Sequence, residues 1–474
     1  MFTRARQQLA RRRSAVPSLG CALVLCLLVG VVGCKDLTGS PGLPAGTQNP
    51  AFYSTPSGAL GMRTTAIYVF EQALSQYVVD AGLLTDELED EDTGNPGVNA
   101  TFNTVSDPLD ERILPASVTV VSYGDLQAVR TYATQAIGAL AIYDTTVADT
   151  ATAKVLRGEL YAVEGYTEIM LADLFCSGVP LSTLVFQGDF NYAPSSTTQQ
   201  VYQAALAKFD TALTLADTSS QVRSLAQVGQ GRAYLDLGPQ YYQTAADDVT
   251  TVPDDFQYQL AIDMIKLSGN LRYYIDGTAT VSNREGINGL PFLSSGDPRT
   301  AVESIATIDE NGNPLVVPLT IPTKYSAGLS GLGYAPFTLA SGVEARLIQA
   351  EAALNGVATG HGSWIDQLNA LRATVSGLPQ ITDPGAGNPE AQIDTVFTER
   401  AEWLFLTGHR QGDLRRLLRQ YGGRYAAFND PSKVYPTGPY NAPGTGLYGM
   451  DVTAPIPVAE EANPLFHGCL SREP

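Results

Sequence analysis

A mainly α-helical scaffold of helical hairpins, with long irregular loops and minor β-structure, is the fold class this sequence predicts. Three observations lead there. Apolar residues recur at helical spacing through most of residues 57–238 and again through 341–420. The connections between these stretches are mostly short, which pairs neighbouring helices antiparallel. Residues 276–340 break the pattern, with Gly and Pro punctuating short apolar runs.

In chain order, Leu60, Ile67, Phe70, Leu74, Tyr77 and Val78 mark a helix over 57–84 that starts near Thr55-Pro56-Ser57. Residues 87–112 interrupt it: the acidic run Glu87, Glu89, Asp90, Glu91, Asp92 leads into Thr93-Gly94-Asn95-Pro96-Gly97 and a Thr/Asn-rich stretch. An irregular segment of that length is a candidate for function. Helical spacing resumes at 123–143, 151–175, 198–216 and 221–238. Gly231-Arg232-Ala233-Tyr234, Gly238, Tyr241, Ala245 and Pro253 are similar to one tetratricopeptide unit, in which small residues let two helices close around a tyrosine. Within 276–340, Asp309 to Asn313 reads as a turn and Leu315 to Ile321 as a β-rich segment, a small sheet laid over the helices. Helices return at 341–355, 363–375 and 390–420, and the tail from Tyr421 is rich in Pro, Gly and Tyr.

The N-terminus carries a different signal. Arg4, Arg6, Arg11, Arg12 and Arg13 precede an apolar run, Leu19 to Val32, closed by Gly33-Cys34. Basic, then apolar, then small residues is the order of a secretory signal, and the small residue before Cys34 resembles the lipobox of bacterial lipoproteins. Residues 1–33 are therefore expected to be removed and Cys34 acylated, with 34–54 a flexible tether and 55–474 the folded domain, helical hairpins over 55–255 and a loop-rich half with C-terminal helices over 256–474. Without the five arginines of residues 1–33, the formal charge of −19 becomes −24, which disfavours nucleic acid and anionic lipid as partners. Cys176 and Cys469 are then the remaining thiols, in a compartment that permits a disulfide between them. His361, His409 and His467 lie far apart and no nucleotide, zinc or serine-hydrolase motif is present, so no metal or cofactor is expected.

The sharpest motif runs Glu399-Arg400, an apolar stretch, Gly408-His409-Arg410, then Asp413-Leu414 and Arg416. With Asp297-Pro298-Arg299, the pair Glu344–Ala352 and Leu368–Arg372, and the closing Pro455-Ile456-Pro457, Glu460 and Asn463-Pro464, it resembles the SusD/RagB family of outer-membrane nutrient-uptake lipoproteins. The family usually has aromatic residues where Gln411-Gly412 stand here, and Glu where Trp403 and Thr407 stand. Read as chemistry, the motif spaces Arg410, Asp413 and Arg416 to pair on one helix face and leaves His409 able to donate to a carbonyl, a clamp for the last long helix rather than a catalytic centre.

The resemblance implies a non-catalytic surface lipoprotein of the outer membrane, held by lipid alone, that captures a glycan or related oligomer for a TonB-dependent SusC-like transporter. Sugar recognition needs aromatic faces ringed by hydrogen-bonding groups. Asn99, Phe102, Asn103, Asn288, Tyr334 and Phe337 are the loop residues expected to supply them, with Asn283, Arg284, Phe292 and Tyr325 nearby, whereas Trp364 and Trp403 fall in helices and are expected to pack. An alternative is a lipid-anchored glycoside hydrolase drawing its acid and base from Glu87 to Asp92, although such carboxylates normally come from separate elements. The same acidic run also suits a solvated or calcium-binding loop.

Overall fold

The computed structural model describes residues 53–90, 116–143, 150–216, 219–262, 279–281, 288–305, 319–326, 335–422, 434–436 and 452–473. Cys34 and the segments around it, Asn99, Phe102, Asn103, Asn283, Arg284, Tyr334, and Glu91 and Asp92 lie outside these residues.

Five helices build the first half: α1 (Pro56–Leu84), α2 (Ala116–Tyr143), α3 (Thr150–Leu174), α4 (Thr198–Leu215) and α5 (Ser220–Leu237). Each packs against the next as a hairpin, except that α2 and α3 also join the two pairs side by side. Local chemistry sets the ends. Thr55 accepts the Gly58 N–H at 3.0 Å with Pro56 at the first turn, and Thr197 and Gln200 form a reciprocal capping box. Gly238, at φ 124°, stops α5 and turns the chain into the short α6 (Tyr242–Asp248). Gly231 lets α5 approach its neighbours: a Cβ there would sit 2.7 Å from Val249 and 3.1 Å from Ile348.

The second half adds α7 (Gly342–Leu354), α8 (Trp364–Arg372), α9 (Pro389–Trp403) and α10 (His409–Gln420). Strands occur only as antiparallel pairs among the described residues. These are β1 (Glu89–Asp90) with β7 (Ala279–Thr280), β2 (Val179–Pro180) with β5 (Ser195–Ser196) and β3 (Thr183–Leu184) with β4 (Phe190–Asn191). Two longer pairs are β6 (Gln257–Ile262) with β10 (Ala335–Ser341) and β8 (Val302–Ile305) with β9 (Leu319–Pro322). In the longest pair Phe337 stands opposite Leu260 and Ala340 opposite Tyr258, with an irregularity after Thr338.

Residues on either side of position 255 share one core: Phe70, Tyr166, Phe209, Leu260, Phe337, Ile348 and Phe405 belong to the same cluster. A second cluster joins Trp364, Leu368, Phe397, Leu414 and Tyr421. Tyr53–Pro474 form one compact unit. Among the described residues no helix is long and apolar enough to cross a membrane.

The helix expected to run through 390–420 is two helices. Leu406 takes φ 50° and Gly408 φ 82°, so the chain turns between Leu404 and His409. A side chain at Gly408 would place its Cβ 2.4 Å from the Tyr77 ring, and the Tyr77 hydroxyl donates to the Gly408 carbonyl at 3.0 Å. The Leu406 N–H, freed from the helix, donates to Glu87 Oε1 at 2.7 Å. The break is held by partners more than 300 residues away in sequence, beyond the reach of local propensity.

The chain end is stitched to the end of α3. Cys176 N–H donates to the Ala454 carbonyl at 2.8 Å, Ala454 N–H to the Leu174 carbonyl at 2.7 Å, and Leu470 N–H to the Ser177 carbonyl at 2.6 Å. Cys176 and Cys469 are joined by a disulfide, their Cα atoms 5.9 Å apart.

Candidate functional site

The motif of α9 and α10 forms a buried ionic lattice. Arg400, Arg415 and Arg416 are each 1% exposed. Asp413 accepts two hydrogen bonds from Arg400, both 2.9 Å, and one from Arg416 at 2.9 Å. Arg416 also donates to Glu351 of α7 and Asp236 of α5, each at 2.9 Å. Burial alone would raise the Asp413 carboxyl, but the charges of Arg400 and Arg416 hold it well below the usual range. Arg410 does not pair with Asp413 as expected; its guanidinium forks onto Asp86, at 2.7 and 2.8 Å, tying α10 to the end of α1. His409 likewise does not reach a backbone carbonyl. Its Nε2 lies 3.1 Å from Glu344 Oε1, and Nδ1 is 2.7 Å from the Thr407 hydroxyl. Glu344 is also gripped by Arg232; burial would raise its carboxyl, yet Arg232 and His409 bring it down to about 2.

Gln411 and Gly412, which depart from the expected aromatic pair, have a use here. Gln411 Nε2 donates to the Asp173 and Val452 carbonyls at 3.1 and 2.7 Å, joining α3 to the tail. A Cβ on Gly412 would come 3.0 Å from Asp173 Oδ2. Arg410 reaches the end of α1, Asp413 reaches α9 and Arg416 reaches both α7 and α5, so the arrangement fixes α10 against four elements. Its chemistry is that of a clamp.

The acidic run is only in part a loop. Glu87 itself is buried rather than solvated, and its Oε1 takes the Leu406 N–H. Burial raises the Glu87 carboxyl to about 8 despite that hydrogen bond. The folded state therefore favours the protonated acid: the contribution is fully present below the ordinary glutamate range and is lost as pH rises through about 8. Glu87→Gln is expected to leave stability at pH 5 nearly unchanged and to raise it at pH 8.5, read by urea unfolding at both values. Among the described residues no group of three or more His, Cys, Asp or Glu is placed to hold a metal ion.

Of the expected ligand residues that are described, Asn288 donates to the Tyr435 carbonyl at 3.0 Å and is half-buried. Phe337 is not on a ligand-facing loop. It is 4% exposed, because β10 directs it into the main core, and Phe292 is likewise buried, stacked on Phe405 with centroids 4.7 Å apart. Trp364 is buried, and Trp403 is half-buried beneath Arg299, whose guanidinium lies 5.0 Å from the indole centroid.

Exposed aromatic surface instead occurs on the β3–β4 hairpin, which sequence reasoning passed over. Phe190 and Tyr192 are 49% and 50% exposed, with ring centroids 4.9 Å apart and planes inclined by 73°. The hairpin is pinned on several sides. Arg130 of α2 donates to the Ser182 and Leu181 carbonyls at 3.1 and 3.2 Å, and Gln135 donates to that of Leu184. Asn463 donates to the Ala193 carbonyl at 2.9 Å, and Phe186 packs against Gly138, where a Cβ would meet it at 2.4 Å. The signal in the sequence was the Phe-x-Tyr alternation after Gln187-Gly188-Asp189, the spacing that sets two side chains on the same side of an extended segment.

No protein-family model matches this chain, and no curated protein matches it. Solved structures do. A SusD superfamily protein from Bacteroides thetaiotaomicron is 17% identical with a TM-score of 0.58, over 88% of this chain and 99% of that one. Surface glycan-binding protein A from Bacteroides uniformis is 14% identical with a TM-score of 0.58, over 86% and 99%. A SusD-like carbohydrate-binding protein from Bacteroides vulgatus is 13% identical with a TM-score of 0.55, over 87% and 97%. With its paired helices and short antiparallel strand pairs, this chain has the fold of these SusD superfamily structures.

Proposed function

We propose that this chain is a SusD/RagB-family lipoprotein of the outer membrane that captures a glycan or related oligomer outside the cell and passes it to a TonB-dependent SusC-like transporter. The observation that carries the reading is the SusD-like fold over 86–87% of this chain, shared with proteins whose names state glycan and carbohydrate binding. The basic–apolar–small order ending at Cys34 supports export and lipid anchoring, and a disulfide suits an oxidising compartment. Capture rather than cleavage is supported by the burial of Glu87, which removes one acid from the hydrolase alternative. Asn99, Phe102, Asn103 and Tyr334 remain the proposed loop contacts, with Asn288 at their border; Phe337 is withdrawn from that set.

Titration of the purified protein against a panel of oligosaccharides tests the reading. Saturable binding to at least one is expected, and none across neutral and acidic glycans would overturn it. The anchor is tested separately. Cys34→Ala is expected to abolish incorporation of radiolabelled palmitate and to release the protein from membranes, since acyl chains alone hold it there. Retention of label in that variant would contradict the assignment.

A further inference from the structure

We infer that Phe190 and Tyr192 form a stacking platform for a neutral, helically twisted glycan chain, a contact site apart from the loop residues named above. The inference rests on the glycan-capture reading and specifies one surface for it.

Four observations carry it. First, two neighbouring rings stay half exposed on a hairpin that is otherwise held firmly to α2 and the tail. Large apolar side chains presented on a pinned element are pre-organised for a ligand, since little order remains to be imposed on binding. Second, the rings are interleaved with polar residues. Gln187, Asp189 and Asn191 are all exposed, and amides and carboxylates beside an aromatic face are what hydroxyl-rich rings require. Third, residues 183–197 contain no Lys or Arg, so the platform offers nothing to a sulfated or uronic-acid polymer and Asp189 repels one. Fourth, rings inclined by 73° cannot both lie flat beneath a planar ribbon. They suit successive sugar rings that are turned relative to one another.

Affinity electrophoresis of the full processed protein tests this, with gels containing an α-1,4-glucan, a β-1,3-glucan, hydroxyethyl cellulose as the flat ribbon, or alginate as the anionic polymer. Wild type is expected to be retarded most by one of the two helical glucans. Phe190→Ala with Tyr192→Ala should weaken that retardation about tenfold, the effect of losing a hot-spot contact. Phe190→Trp should retain it, and Tyr68→Ala, an exposed tyrosine on α1, should leave it unchanged. Thermal unfolding of every variant should match wild type, because the rings add little to the core. Undiminished retardation of the double variant would overturn the platform and leave the capture reading standing. Strongest binding to alginate or hydroxyethyl cellulose would overturn the ligand class. Wild type that binds no polymer or oligosaccharide would remove both. A double variant that keeps its glycan but no longer co-purifies with a transporter would reassign the hairpin to protein docking.

Discussion

Asp413→Ala is expected to destabilise the protein by about 3–5 kcal/mol, the cost of removing one partner from a buried ionic cluster. The reason is the geometry around that carboxylate. Arg400 and Arg416 both donate to it and both are 1% exposed, so neither guanidinium can turn to water when it is lost. Arg416 would keep Glu351 and Asp236, while Arg400 would keep only the longer 3.5 Å approach to Glu351. Two cations would then face each other in a dry site. Asp413→Asn should cost nearly as much, since the amide keeps the volume and loses the charge. Urea unfolding of both variants checks this; a loss below about 1 kcal/mol, the range of an exposed pair, would mean the lattice is not what holds α10.

Opening the Cys176–Cys469 bond is the second large effect. The bond joins residues 293 apart in sequence, and chain entropy for so long a loop corresponds to about 5–6 kcal/mol. Given the unfolding entropy of a domain of this size, that is a fall in Tm of about 6 °C. Reductant, or Cys469→Ser, should produce it, and tail amides such as that of Leu470, now bonded to Ser177, should lose hydrogen-exchange protection first. An unchanged Tm with protected tail amides would show that the backbone stitches alone hold the segment.

How much of this was legible beforehand depends on how local each feature is. The helices of the first half were readable because their ends rest on nearby residues: Thr55, the Thr197–Gln200 box and Gly238 each act within a few positions. The break after Trp403 was not, because Leu406 and Gly408 take their conformations from Glu87 and Tyr77 on α1. The same limit applies to Arg410, whose partner by spacing is Asp413 and whose partner in space is Asp86. Phe337 and Phe292 sit in Gly- and Pro-rich sequence and so read as loop aromatics, yet the β6–β10 pairing and the Phe405 ring bury them. Phe190 and Tyr192 were overlooked for the opposite reason, lying in the connection 176–197 between two strong helices, where no motif marks a hairpin.

Capture without chemistry would leave a bound glycan intact, and following reducing ends measures that. The purified protein would be incubated for a day at micromolar concentration with a glycan that it binds. Saturable binding and no rise in reducing ends above buffer are expected, with the glycan recovered at its original length. Time-dependent release of shorter oligosaccharides, abolished by replacing an acidic residue of this chain, would contradict it.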